Sequence, residues 1–208
     1  MTVSVPQIPN EIAAGAQVTF TQDVAKSTSE GGNSNRKEMR KIIRNYTVTI
    51  SPEYSDEMQA IIESTSVARY PVAIMDPLLF SIVNEPAVIQ PGGATAKIVK
   101  TFQPSTGTVS RQKRILLPVP ATLSVLINGV AATSGAATLA DYGILNLSPT
   151  LDPDTDLVEV TCQFYTPCCG LDAPSATAFG RVGSAVQYQF TSMRFEEIFE
   201  AEFVELTS

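Results

Sequence analysis

The residues best placed to do chemistry are carboxylates and thiols. Asp152, Asp154 and Asp156 alternate in Leu-Asp-Pro-Asp-Thr-Asp-Leu, the spacing of the first ligands of a calcium loop. The sixth position of such a loop, normally Gly, is Leu157 here. The twelfth is Gln163, whose neutral amide cannot act as a bidentate carboxylate. A polar turn between two strands accounts for the three aspartates more simply. Glu196 and Glu200 could pair as acid and base in glycoside hydrolysis, but the chain has no Trp to stack against a sugar. Three cysteines occur, Cys162, Cys168 and Cys169; two are adjacent and no CxxC is formed. They are too few for a zinc site and read as buried or half-buried free thiols of a chain folded in a reducing cytoplasm. Pro91-Gly92-Gly93 is not followed by GK[ST], and neither GxSxG nor GxGxxG is present. No catalytic, cofactor-binding or metal-binding set is expected.

The absence of His narrows the field further. Ser-His-Asp and Cys-His nucleophile systems, HExxH zinc sites and the 2-His-1-carboxylate iron site all require it. The chain is therefore expected not to be an enzyme. Its net charge is −7 and its pI about 4.6, an average field that repels phosphates. The charges are clustered. Lys26, Arg36, Lys37, Arg40, Lys41 and Arg44 share one stretch, while Glu196, Glu197, Glu200, Glu202 and Glu205 crowd the C-terminus. Each run reads as a solvated face, or as half of a junction in which the basic segment of one copy meets an acidic face of another. Charged residues are only 17% of a 208-residue chain, below the usual ~25%, which suits extensive interfaces.

The elements that must position these groups are mostly strands. Residues 1–16, with Pro6, Pro9 and Gly15, read as an extended arm without the marks of a signal peptide. Residues 17–25 suggest a strand and 26–36 a flexible polar loop. Tyr46, Val48 and Ile50 alternate as the apolar face of a strand. A helix is predicted from Pro52 to about Ser64, with Ser51 as N-cap and Met58, Ile61 and Ile62 as its apolar stripe. Residues 69–83 read as buried strands flanking the Asp76-Pro77 turn, 86–97 as a loop and 97–103 as a strand. Leu123, Val125 and Ile127 run into Asn128-Gly129, a strong hairpin signal. Strands follow at 144–147, at 157–166 (Val158, Val160, Cys162 and Phe164 on one face) and at 186–190, with a loop at 170–185. Residues 194–206 fit a helix stripe or a strand with one slip, and the β-rich context favours a strand. The fold class is mainly β with one α-helix, of β-sandwich or split-barrel type. The chain reads as a single domain over 1–208 with a β-rich second half from about 97 to 206, and no stretch approaches 18 apolar residues.

The order of segments carries a resemblance. Ala14-Gly15-Ala16 is followed by Phe20-Thr21, Asn35-Arg36, Arg44-Tyr46, Ala68-Arg69-Tyr70 and the apolar segment around Asp76. Then come Lys100-Thr101-Phe102, Arg114-Ile115, Pro118-Val119, Asn128-Gly129-Val130, the strand Leu157–Cys168 and an acidic C-terminal segment. In this order the chain resembles the distal tail protein, or tail hub, family of long-tailed bacteriophages and gene transfer agents, over roughly residues 5–206. It departs from the family pattern in lacking Trp, and in having Thr166-Pro167-Cys168-Cys169 where the family has a Pro-Val-Arg-Phe run.

The resemblance implies a structural virion protein at the tail tip, folded in the bacterial cytoplasm before assembly. It implies a homohexameric baseplate ring that joins the tail tube protein to the baseplate hub, with DNA passing through without specific binding. No catalytic residue and no cofactor is carried over. The alternative is a tail-tip receptor- or carbohydrate-binding β-sandwich module. On the ring reading, the arm at 1–16 and the loop around Glu30–Asn33 would order against neighbours, so deleting residues 1–12 should weaken oligomers and leave the fold.

Overall fold

A computed structural model describes residues 5–21, 24–28, 34–38, 42–65, 70–106, 110–171, 176–182, 185–190 and 192–207. For 24–28, 34–38, 176–182 and 185–190 only the course of the backbone is described.

In the first half, helix α1 (Asn10–Ala13) precedes strands β1 (Gln17–Thr21), β2 (Val24–Thr28), β3 (Ser34–Glu38) and β4 (Ile43–Thr49). A 3-10 turn at Pro52–Tyr54 leads into α2 (Ser55–Thr65). Then come β5 (Val72–Ile74), β6 (Ser81–Pro86), β7 (Val88–Ile89), β8 (Thr95–Lys97) and β9 (Val99–Phe102). The second half holds β10 (Arg111–Arg114), β11 (Leu117–Pro118), β12 (Ser124–Ile127), β13 (Val130–Ala131), β14 (Ala137–Ala140) and β15 (Ile144–Leu147). It closes with β16 (Val158–Gly170), β17 (Ala176–Val182), β18 (Ala185–Phe190), β19 (Ser192–Glu197) and α3 (Glu200–Thr207). The chain is thus mainly β with one prominent helix, in several antiparallel sheets, and the described strands close no barrel.

Strand β16 is the spine. Along one edge it pairs with β6 and then β5; on the other it pairs with β12, then β11, then β19. Its alternating side chains Val158, Val160, Cys162 and Phe164 are buried, because a two-residue period puts one face of a strand on the core. They pack with Ile82, Ile98, Ile115 and Leu145 into one core. The far end of β16 supplies Cys168 to a second core with Tyr46, Val48 and Ile50 of β4 and its following residue, Met58 and Ile61 of α2, and Phe195 of β19. The stripe read from the sequence as the buried face of α2 is that face, although Pro52 opens the 3-10 turn and the α-helix begins at Ser55. A small third cluster joins Leu116, Ile198 and Phe203, with the Tyr142 ring edge-on to Phe203 at 5.9 Å between centroids.

Five expectations are corrected. Over its described residues, 5–16, the N-terminal arm is not free of the domain. Ala73 N donates to Pro6 O and Ile8 N to Ala73 O, and the turn of α1 sinks Ile8, Ile12 and Ala13 into the core. One turn of helix is too short for its period to stand out in a sequence. The polar stretch 26–36 contains β2 and β3, a ribbon whose sequence alternation is weak. Residues 86–97 form the β7–β8 pair around Pro91-Gly92-Gly93, and the Gly-, Ala- and Ser-rich 170–185 includes β17. Finally, 194–206 is not one strand. Strand β19 ends at Glu197 and α3 begins at Glu200, with Phe203 N donating to Phe199 O at 2.8 Å. The period changes from 2 to 3.6 within three residues, so both readings matched part of it.

Two turns depend on glycine. Asn128 (φ 52°) and Gly129 (φ 77°) form the hairpin read from the sequence between β12 and β13. Gly143 (φ 63°) lets β15 start under the β10–β11 connection, and a Cβ there would stand 1.8 Å from the Ile115 carbonyl oxygen. Gly143→Ala is expected to destabilise the fold by about 2 kcal/mol. Chemical denaturation against the parent protein checks this, and an unchanged midpoint would refute it.

Candidate functional site

A cleft of about 700 Å³ opens where the two cores meet, at the stretch of β16 between its pairings with β11 and β19. Its floor is Phe164 to Pro167. One wall is β10, from Arg111 to Arg114, which among the described strands pairs only with β9. The other is the end of the β1–β4 ladder, with Phe20, Ile42 and Arg44. Phe20 is 56% exposed and Phe102, at the rim, 38%. The Arg44 guanidinium lies over the Phe20 ring, 5.4 Å from its centroid.

Ion pairs tie the β10 wall to β19 and α3. Lys113 Nζ lies 2.6 Å from Glu197 Oε1, linking β10 to β19. Arg114 reaches Glu200 at 3.4 Å and also donates to the backbone oxygens of Ile98 and Tyr142, linking β10 to α3 and to the turn before β15. Behind the cleft, Arg44 is paired with Asp76, which is wholly buried. Asp76 Oδ2 also accepts the Tyr46 hydroxyl at 3.0 Å, and Oδ1 accepts Leu78 N at 2.8 Å and Leu79 N at 3.2 Å. The carboxylate thus closes its own turn and anchors β4, a full set of partners for a buried charge. Burial, then the neighbouring Cys168, Asp76 and Glu197, push the Tyr46 phenol well up, so it remains a donor. The Thr166 hydroxyl, also buried, lies beside that of Tyr46 and completes no hydrogen bond of good geometry.

The groups singled out in the sequence fall in different places. Of the acidic run, Glu197 and Glu200 line the cleft and Glu196 does not, so Glu196 and Glu200 are not assembled as an acid–base pair. Of the basic run, Arg44 faces the cleft. Lys26, Arg36 and Lys37 sit on β2 and β3, with Lys26 opposite Arg36 and Ala25 opposite Lys37, and Arg40 and Lys41 lie outside the described residues.

The three aspartates form the polar turn. Asp156 accepts Asn128 Nδ2 and Asp152 N, both at 2.8 Å, which hold its carboxyl below the usual range, and Asp152 Oδ1 accepts Asp154 N at 2.9 Å. Among the described residues no group of His, Cys, Asp or Glu is arranged to hold a metal ion. Sequence reasoning gave Lys113 no part and used Arg114 only as a mark of the resemblance, with no role in a site. The one available signal was a lone Asp76 inside an apolar segment, which must find a cation if buried.

The thiols are free, as expected: Cys162 and Cys168 are buried and Cys169 is half-buried. Burial pushes Cys162 up to about 11, and burial with Glu202 and Glu196 nearby pushes Cys169 up to about 11; Cys168 is also well raised by burial. Thiolate is scarce near neutral pH and grows as pH rises toward those values. At pH 8 a chromogenic disulfide should therefore label Cys169 alone, slowly, with the other two thiols reacting only in denaturant. Fast labelling of two or more would refute this burial.

Compared with known proteins, the chain matches no family model and no curated protein. Among the described residues no helix is long and apolar enough to cross a membrane.

Proposed function

We propose that the chain is a structural ring protein of a phage-type tail, a distal tail component that joins tube to baseplate around the DNA channel. The observation that carries this is the ribbon of β2 and β3. The β1–β4 ladder ends at Thr21–Ile43 and the β2–β3 ladder resumes at Val24–Glu38, with two residues between them on one side and four on the other. Among the described strands, β2 and β3 pair only with each other, and β1 pairs only with β4. A two-stranded ribbon is marginal on its own in water, and an edge strand is a template for another chain. Neighbouring copies would supply the missing partners. Exposed Val83, Leu78 and Val130 favour burial in an assembly as well.

The test is the mass of the purified protein by light scattering, with negative-stain images of the same peak. Rings of about six copies are expected. A deletion variant joins Thr21 to Ile43 through Asn-Gly, which keeps the β1–β4 hairpin and removes the ribbon. It should remain folded and lose the ring, and an intact ring from it would overturn the ribbon's role.

One observation favours the alternative, a tail-tip receptor- or carbohydrate-binding module: the exposed Phe20 and Phe102 at the rim of the cleft. A glycan array separates the two readings.

A further inference from the structure

The hairpin turn between β12 and β13 is the one Asn-Gly pair in the chain. In such a pair the backbone N of the glycine, with no Cβ beside it, can attack the side-chain amide carbon of the asparagine. The bond from Gly129 N to Asn128 Cγ forms and the Cγ–Nδ2 bond breaks. Nδ2 leaves as ammonia, taking the proton that Gly129 N gives up. Water then opens the succinimide ring at either carbonyl and leaves aspartate or isoaspartate. Both residues are exposed, so water and hydroxide reach them freely.

Hydrogen bonds are what restrain this reaction. Asn128 N donates to Leu157 O, Leu157 N donates to Asn128 Oδ1, and Asn128 Nδ2 donates to Asp156 Oδ1, all at 2.8 Å. The side-chain amide is thus held at both ends by the segment that leads into β16. Ring closure needs Asn128 to turn about its Cα–Cβ and Cα–C bonds together. That motion breaks both side-chain bonds, one of them to a carboxylate and so of the stronger kind. Asp156 Oδ2 is itself fixed by Asp152 N at 2.8 Å. These bonds hold the Asp156 carboxyl below the usual range, so it stays ionised wherever base drives the reaction.

We propose that Asn128 is a latent deamidation site, held closed by Asp156 and the backbone amide of Leu157. The clasp lies within one protomer and needs no neighbour. Once the reaction has run, the clasp cannot re-form. Aspartate at position 128 would set a second carboxylate against Asp156, where Nδ2 had been a donor. Isoaspartate would add a backbone atom to a two-residue turn that fixes Ile127 opposite Val130 and Leu126 opposite Ala131.

The test incubates the folded parent, and the parent in urea, at pH 8. Peptide mass mapping and an isoaspartate assay follow position 128 with time. The denatured chain should deamidate there roughly a hundredfold faster than the folded one. Asp156→Ala removes the acceptor of Nδ2 and, while still folded, should react about tenfold faster than the folded parent. Melting curves show whether it is folded. Where it is not, Asp156→Asn takes its place: a neutral acceptor remains, the bond is weaker, and the rate should rise a few-fold. A folded parent that deamidates as fast as the denatured chain overturns the protection. A folded Asp156 variant that reacts as slowly as the parent overturns the clasp as its cause.

Discussion

Asp76→Ala is expected to lower stability by about 4 kcal/mol. The carboxylate is wholly buried, paired with Arg44, and accepts hydrogen bonds from Tyr46 and from the amides of Leu78 and Leu79. Removing one partner of a buried pair leaves the other charge desolvated, which costs about 3–5 kcal/mol, more than the pair itself contributes. For a chain of this size the melting temperature should fall by roughly 8–16 °C. Arg44→Leu on the Asp76→Ala background should recover part of the loss, since it removes the stranded cation. Paired thermal and denaturant melts of the single and double variants check this. A double variant less stable than Asp76→Ala by the full cost of Arg44→Leu would show that the two residues do not act as a pair.

The second large effect is at the N-terminus. Ile8 and Ile12 are buried with Tyr46, Met58 and Phe195, and residues 6–8 exchange backbone hydrogen bonds with Ala73 of β5. Each isoleucine lost from a core costs about 2–5 kcal/mol, against a total stability of about 5–15 kcal/mol. Deleting residues 1–12 should therefore abolish cooperative unfolding or leave the protein insoluble, in place of the intact fold that a detached arm would give. Ile8→Ser, expected to cost about 4 kcal/mol, tests the same contact in the full chain. A deletion that melts like the parent would show that the arm contributes little to the core.

These two effects mark where the sequence was and was not legible. Tyr46, Val48 and Ile50 were readable because a half-buried strand repeats every two residues. So were Val158 to Phe164, the α2 stripe and the Asn128-Gly129 turn, each a local rule satisfied by neighbours in the chain. The β2–β3 ribbon and β17 were hidden because Gly-, Ser- and Lys-rich strands carry little alternation, and their pairing is a property of the partner strand. The C-terminal segment was split between two periods that no single template covers.

The site was hardest to see because it is built from distant parts. Arg44 meets Asp76 across 32 positions, and Arg114 meets Glu200 across 86. In the sequence, Arg44 belongs to a basic run and Glu197 to an acidic one, and both runs look like solvated faces. Local composition assigned the strands, the helix, the free thiols and the turn of aspartates, because those follow from steric preference and side-chain chemistry within a few residues. Which charges are buried, which carboxylates line the cleft and which aromatic rings stand exposed was decided only when β16 brought the two cores together. Burial and pairing are set by the free energy of the whole fold and by no local pattern.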